Sequence, residues 1–117
     1  MEIEVEILSL IEDERTQSPI VLLFDRTNNR LLPIWIGDAE ARAIAVALNN
    51  VETPRPLTHH LTLSIIEEMG GEFEKVVIDR LHEGTYFASV HIGIEEDLLV
   101  VDARPSDSIA LAITAGV

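Results

Sequence analysis

At 117 residues the chain is sized for one domain, residues 1–117, and can bury about two thirds of its unfolded surface. Its 47% apolar content excludes a disordered chain, the absence of cysteine excludes disulfides and thiolate metal sites, and no apolar run approaches the roughly 20 residues of a membrane-spanning helix. Twenty-one acids against eight bases give a formal charge of -13, a field that repels phosphate backbones.

Seven of the eight bases are nevertheless arginines, with Lys75 the single lysine. Arginine suits fixed bidentate contacts with carboxylate or phosphate, and a GC-rich coding bias explains the same excess. Residues 1–11, MEIEVEILSLI, alternate Glu with Ile or Val and lack the basic start of a signal peptide. The expectation is a soluble, cytoplasmic protein.

The same alternation predicts a half-buried strand, with Ile3, Val5 and Ile7 facing a core and Glu2, Glu4 and Glu6 facing water. After a polar loop over 12–19, residues 20–36 read as a hairpin turning at Asn28-Asn29, which tolerate positive φ. Pro33 cannot donate to a ladder, so its strand has an edge or a bulge there. Residues 37–50, GDAEARAIAVALNN, read as a helix capped by Asp38, with Glu40 in the favourable first turn and Asn49-Asn50 at its end. Alanine's helix preference decides against a strand.

VETPRPL, residues 51–57, is an extended linker. Thr58 then caps an amphipathic helix whose apolar stripe is Leu61, Ile65, Ile66 and Met69 and whose stop is Gly70-Gly71. Residues 72–93 form a second hairpin turning near Glu83-Gly84, which puts Arg80, Phe87, Ser89 and His91 on one face. A strand over 95–103 and a helix over 105–116 complete the chain. The passages IWIGDAEARAIAVAL and VVDARPSDSIALAI echo each other, each leading from a β-branched strand through an Asp-Ala corner into an alanine-spaced helix. The predicted fold is α+β, two β-β-β-α copies with an inserted helix and a mostly antiparallel or mixed sheet. The ending Ala115-Gly116-Val117 reads as though a further strand belongs after it.

The corner of the second copy carries Asp102, Arg104, Ser106 and Asp107 within six residues. Phosphodiester hydrolysis needs charge neutralisation, commonly by carboxylate-held Mg2+ or Mn2+ together with Arg or Lys, and a base to activate water. Asp102 and Asp107 are candidate catalytic carboxylates, Arg104 a candidate phosphate contact, and the helix start behind them offers N–H groups to an anion. The same residues also make an ordinary corner: Pro105 at the first helical position, Ser106 and Asp107 as helix-start residues, Arg104 paired with Asp102 or Asp38. Asp38 and Glu40 hold the equivalent corner of the first copy. They are candidate metal ligands with Asp102 if the two helix starts converge, and ordinary capping residues otherwise.

His59, at a helix start near Arg55, is a candidate general base. His59 and His60 are adjacent and so point apart on a helix, which denies them one shared metal. Arg55 and Arg80 are further candidate substrate contacts. Trp35 and Tyr86 sit inside apolar strands and read as core or interface residues. No P-loop, dinucleotide fingerprint, nucleophile elbow or zinc motif is present.

Taken together, LPIWIG, the Glu-Ala and Ala-Ile-Ala pattern of the first helix, PRPLTH, the Gly-Thr-Tyr-Phe-Ala strand and DARPSDSIALAI resemble the bifunctional nuclease domain family, also described as the DNase-RNase domain. The resemblance runs from about Leu32 to Gly116 with the motifs in family order. It implies a compact α+β domain, a wedge-shaped homodimer with a groove as active site, and degradation of RNA and DNA by some members. One departure stands out: after Pro-Leu-Thr-His the family commonly has Asp, and this chain has His60. Were that Asp a metal ligand, this chain would have lost it.

Two functions from different classes follow. One is metal-assisted hydrolysis of RNA or DNA, with Mg2+ or Mn2+ and no organic cofactor. The other is a non-catalytic acidic dimerisation or regulatory module that binds a protein partner. A homodimer is expected under either, because the apolar fraction is high and alanine-lined helices permit close packing.

Overall fold

The structure, a computed structural model, describes residues 2–117. In chain order the elements are β1 (Glu6–Glu12), β2 (Pro19–Asp25), β3 (Arg30–Trp35), α1 (Asp38–Leu48), α2 (Thr58–Glu68), β4 (Gly71–His82), β5 (Thr85–Ile94), β6 (Asp97–Ala103) and α3 (Pro105–Ala115). The strands form two antiparallel sheets, ordered β1-β2-β3 and β4-β5-β6. Each copy is thus three strands followed by a helix, with α2 between them, an α+β fold. Among the described residues no helix is long and apolar enough to cross a membrane.

The chain divides into two compact units, one up to Ala45 and one from Val46, the division falling inside α1. In the first unit β2 is the central strand, and its continuous apolar run supplies buried Ile20, Val21 and Leu23, joined by Ile34 of β3 and Ile44 of α1. The β2–β3 turn is held by Asp25, whose buried carboxylate accepts the Asn28 backbone N–H at 3.2 Å, the Asn28 Nδ2 at 2.8 Å and Arg30 Nη2 at 3.0 Å. Those Asn28 bonds, aided by Arg30 and opposed by burial, hold its carboxyl below the usual range. Asn29 takes the positive φ the turn requires. Pro33 lies on β3, an edge strand, where its missing N–H costs no ladder bond.

In the second unit β5 is central and α2 packs on α3 and β4. Helix α3 is buried along Ser106 and Ser108 to Ala112, nearly all round, as a helix of small and apolar side chains must be. The β4–β5 turn uses Glu83 and Gly84, both at positive φ, and Arg80 lies opposite Phe87 as the turn position implies.

Four expectations need correcting. The N-terminal strand starts only at Glu6, with a bulge between Ile7 and Ser9; Ile3 and Val5 lie outside it and are exposed, and Met1 lies outside the described residues. Asp38 is the first helical residue rather than the cap, and Gly37 supplies the carbonyl that accepts the Ala41 N–H at 2.9 Å. Thr58 likewise sits inside α2; Leu57 holds the cap position, and its N–H donates to Nδ1 of His60 at 3.1 Å. His60 thereby does the work a carboxylate does in a capping box. The predicted stripe of α2 is largely exposed at Leu61, Ile65 and Met69, because the helix turns His59 inward instead.

Candidate functional site

Strand β6 ends at Ala103 because the next residue precedes a proline. That position is pushed to extended backbone, and Arg104 takes φ -74 and ψ 148 as the cap of α3. Pro105, with its preset φ and no N–H to satisfy, opens the helix. The Arg104 carbonyl accepts the Ser108 N–H at 3.0 Å. Its side chain turns along the first helical turn and forks onto Asp107, with Nε to Oδ2 at 2.8 Å and Nη2 to Oδ1 at 3.2 Å. The pair seen at this corner is with Asp107, because three residues along a helix brings that side chain under the cap residue.

Beside this corner is a pocket of about 390 Å3, walled by Thr85, Tyr86 and Phe87 on one side and Asp102, Arg104 and Asp107 on the other. The β5–β6 register makes the wall. Ala88 pairs with Ala103 and Ser89 with Asp102, so the start of β5 runs alongside the end of β6. Arg80 joins from β4, its guanidinium 4.4 Å from the centroid of the Phe87 ring. In a chain of charge -13, the four charges named here, Arg80, Arg104, Asp102 and Asp107, cancel. The Asp102 carboxylate makes no hydrogen bond or ion pair among the described residues.

The other candidates do not reach this pocket. His59 is 7% exposed within α2, and its Nε2 has no partner among the described residues. Burial, with a smaller contribution from His60, pushes its pKa down and favours the neutral imidazole. Arg55 lies exposed in the linker and is not part of the pocket wall. His91 shares a 3.2 Å hydrogen bond with the Ser89 hydroxyl through Nε2, while its Nδ1 and the Ser108 Oγ are buried without partners among the described residues.

Asp38 and Glu40 belong to the first unit. Glu40 folds back over Gly37 so closely that a Cβ there would stand 2.2 Å from its Oε2. No group of three or more His, Asp or Glu side chains capable of holding a metal occurs among the described residues. At the β6–α3 corner both Asp107 oxygens are taken by Arg104, which leaves Asp102 as the single uncommitted carboxylate. This donor set does not fit a carboxylate-held divalent cation.

Sequence reasoning missed Thr85, Tyr86 and Phe87. The signal was present, because a hairpin turning at Glu83-Gly84 and a third strand running back along it bring the Tyr-Phe pair to the end of β6.

A model of the bifunctional nuclease domain matches residues 21–117. An uncharacterized protein of Mycobacterium tuberculosis is 41% identical over 114 residues, 97% of this chain and 68% of that protein. Bifunctional nuclease 2 of Arabidopsis thaliana is 33% identical over 100 residues, 82% of this chain and 30% of the relative. Bifunctional nuclease 1 of Oryza sativa subsp. japonica is 29% identical over 105 residues, 87% of this chain and 32% of the relative. The chain thus spans about a third of these plant relatives. With the domain model covering all but its first twenty residues, the chain belongs to the bifunctional nuclease domain family.

Proposed function

We propose that this chain hydrolyses phosphodiester bonds of RNA or DNA at the corner between β6 and α3. The observation that carries the reading is the Arg104 fork at the start of α3, opening on a pocket with a tyrosine, a phenylalanine and an uncommitted carboxylate. In this reading the phosphate sits against Arg104 and the N–H groups of the first turn of α3, with Arg80 as a second cation. Asp107 orients the guanidinium. Asp102 takes a proton from water as the water oxygen bonds to phosphorus and the bond to the leaving oxygen breaks; solvent returns a proton to that oxygen. Tyr86 and Phe87 offer surface to a base. No step is routed through Mg2+ or Mn2+, since a cation here would have to take Asp107 from Arg104.

The test is cleavage of single-stranded RNA and DNA oligonucleotides by rigorously purified protein, with and without EDTA, beside Asp102→Asn prepared identically. Wild type should cut and the variant should lose about 100-fold or more in rate. Equal rates in both would contradict the assignment and indicate a contaminating nuclease. The formal charge of -13 favours a second reading, a non-catalytic module docking a basic protein partner, and absence of cleavage with both substrates would turn the choice to it.

A further inference from the structure

The three helices begin with different chemistry. Helix α1 has Asp38 and Glu40 in its first turn and α3 has Asp107, acids that suit the positive end of a helix. Helix α2 has no acid there, and its first turn carries His59 and His60 side by side. Leu57, at the cap position, has no side-chain oxygen to offer. The side-chain bond that closes this start runs from the Leu57 N–H to Nδ1 of half-buried His60 at 3.1 Å. The Leu61 N–H then bonds the Leu57 carbonyl at 2.9 Å.

A ring nitrogen that accepts must keep its lone pair, so the Leu57 bond stands only with a neutral His60 whose proton is on Nε2. The His59 ring lies 4.2 Å away between centroids, and its Nε2 is buried without a partner among the described residues. A second proton on that ring would make a buried cation with no counter-charge, which is costly. The elements packed on α2 supply none. α3 carries Asp107, both of whose oxygens are on Arg104, and β4 carries Glu72, Glu74, Lys75, Asp79, Arg80 and His82. Neither these groups, nor Arg55 in the linker, nor Glu67 and Glu68 at the far end of α2 act on His59, whose environment is set by burial and by His60.

We propose that the start of α2 is an acid-operated latch, in which a proton on Nδ1 of His60 removes the acceptor of the Leu57 N–H and opens the first turn. The new cation also stands against the His59 ring and the positive end of the helix, both unfavourable. Once the turn is open, His59 reaches water and takes a second proton that the closed helix refuses. The opening therefore draws two protons. Histidine in an unfolded chain titrates around pH 6.5, so the latch is shut above that value and opens as pH falls through it. Between pH 7.5 and 5.0 each ring favours the open form by up to about 30-fold. The segment released is local, residues 51–61.

The experiment is amide hydrogen exchange of the full chain, read by NMR as protection factors at pH 7.5 and 5.0. The Leu57 and Leu61 amides report the latch. The Ser108 amide, bonded to the Arg104 carbonyl in the first turn of α3, is the internal control. Wild type should lose protection at Leu57 and Leu61 by at least 100-fold over this interval, with Ser108 changed less than tenfold. In His60→Gln the side-chain oxygen accepts the same bond and does not titrate, so the loss should shrink to the roughly 30-fold that His59 alone can drive. His60→Ala has no acceptor and should leave the Leu57 amide unprotected already at pH 7.5. A wild-type loss of about 30-fold or less, a His60→Gln loss as steep as wild type, an equal loss at Ser108, or wild-type protection of Leu57 in His60→Ala would each overturn the proposal. None of these readouts depends on cleavage, so they stand apart from the phosphodiesterase reading.

Discussion

The two strand-to-helix corners, each within its own unit, meet the same local demand with different chemistry. At the first, Gly37 holds the cap position and Glu40 folds back over it, so the helix start is occupied by its own acid in the space a side chain would fill. At the second, an arginine holds the cap position, the first-turn acid is bound to that arginine, and an aromatic wall stands beside both. An acid in the first helical turn is therefore no sign of a site, since it stabilises any helix start. What distinguishes the second corner is a cation held in a fixed orientation at the mouth of a pocket.

Matched substitutions break or sharpen this contrast. Asp107→Ala releases the Arg104 fork and should slow cleavage about tenfold, a share of the roughly 100-fold or more that loss of a fixed transition-state donor costs. Glu40→Ala removes the corresponding acid from the first corner and should leave the rate unchanged. Each should cost stability by about 0.3–1 kcal/mol, the value of an acid in the first helical turn. Urea denaturation beside the cleavage assay measures both, and equal kinetic effects would erase the distinction between the corners.

A smaller effect separates His59 from the corner. Its folded pKa lies below the unfolded value of about 6.5, so above that pH both states are neutral and its contribution is complete. As pH falls below about 6.5 the unfolded chain takes up a proton that the folded chain refuses, and stability declines. Denaturation midpoints at pH 7.5 and 5.5 should therefore fall less in His59→Leu than in wild type. An identical fall in both would show that His59 is not held neutral.

The smallest effect belongs to Gly37→Ala. The added Cβ displaces only the flexible end of Glu40, and alanine is a poorer cap than glycine, so the loss should be under about 1 kcal/mol with cleavage unchanged. A loss of several kcal/mol would mean that the Glu40 placement is rigid.

Much of the fold was legible because it is local. Period-two alternation, Asn28-Asn29 and Glu83-Gly84 at the turns, Pro105 and the alanine-spaced helices each announce their own geometry, and the element order follows from them. The misreadings have tertiary or hydrogen-bonding causes. Alternation at Ile3 and Val5 cannot make a strand without a partner to pair with. The apolar positions of α2 do not say which of its faces is covered, and His59 rather than Met69 turns inward. At His60 the sequence could not show the capping role, which needs Nδ1 to reach back to the Leu57 N–H. Asp102, Arg104 and Asp107 could be named from sequence, but the Arg104 partner and the Tyr86–Phe87 wall required the β5–β6 register.

The most direct test of the central claim, that the β6–α3 corner handles phosphate, is Arg104→Ala with cleavage rate and thermal melting measured on one preparation. The side chains of Arg104 and Asp107 are 65% and 51% exposed, and an exposed pair contributes only about 0 to 1 kcal/mol. The account predicts a melting temperature within a few degrees of wild type and a cleavage rate reduced about 100-fold or more. A variant that melts and cuts like wild type would contradict it, and so would one that loses both together.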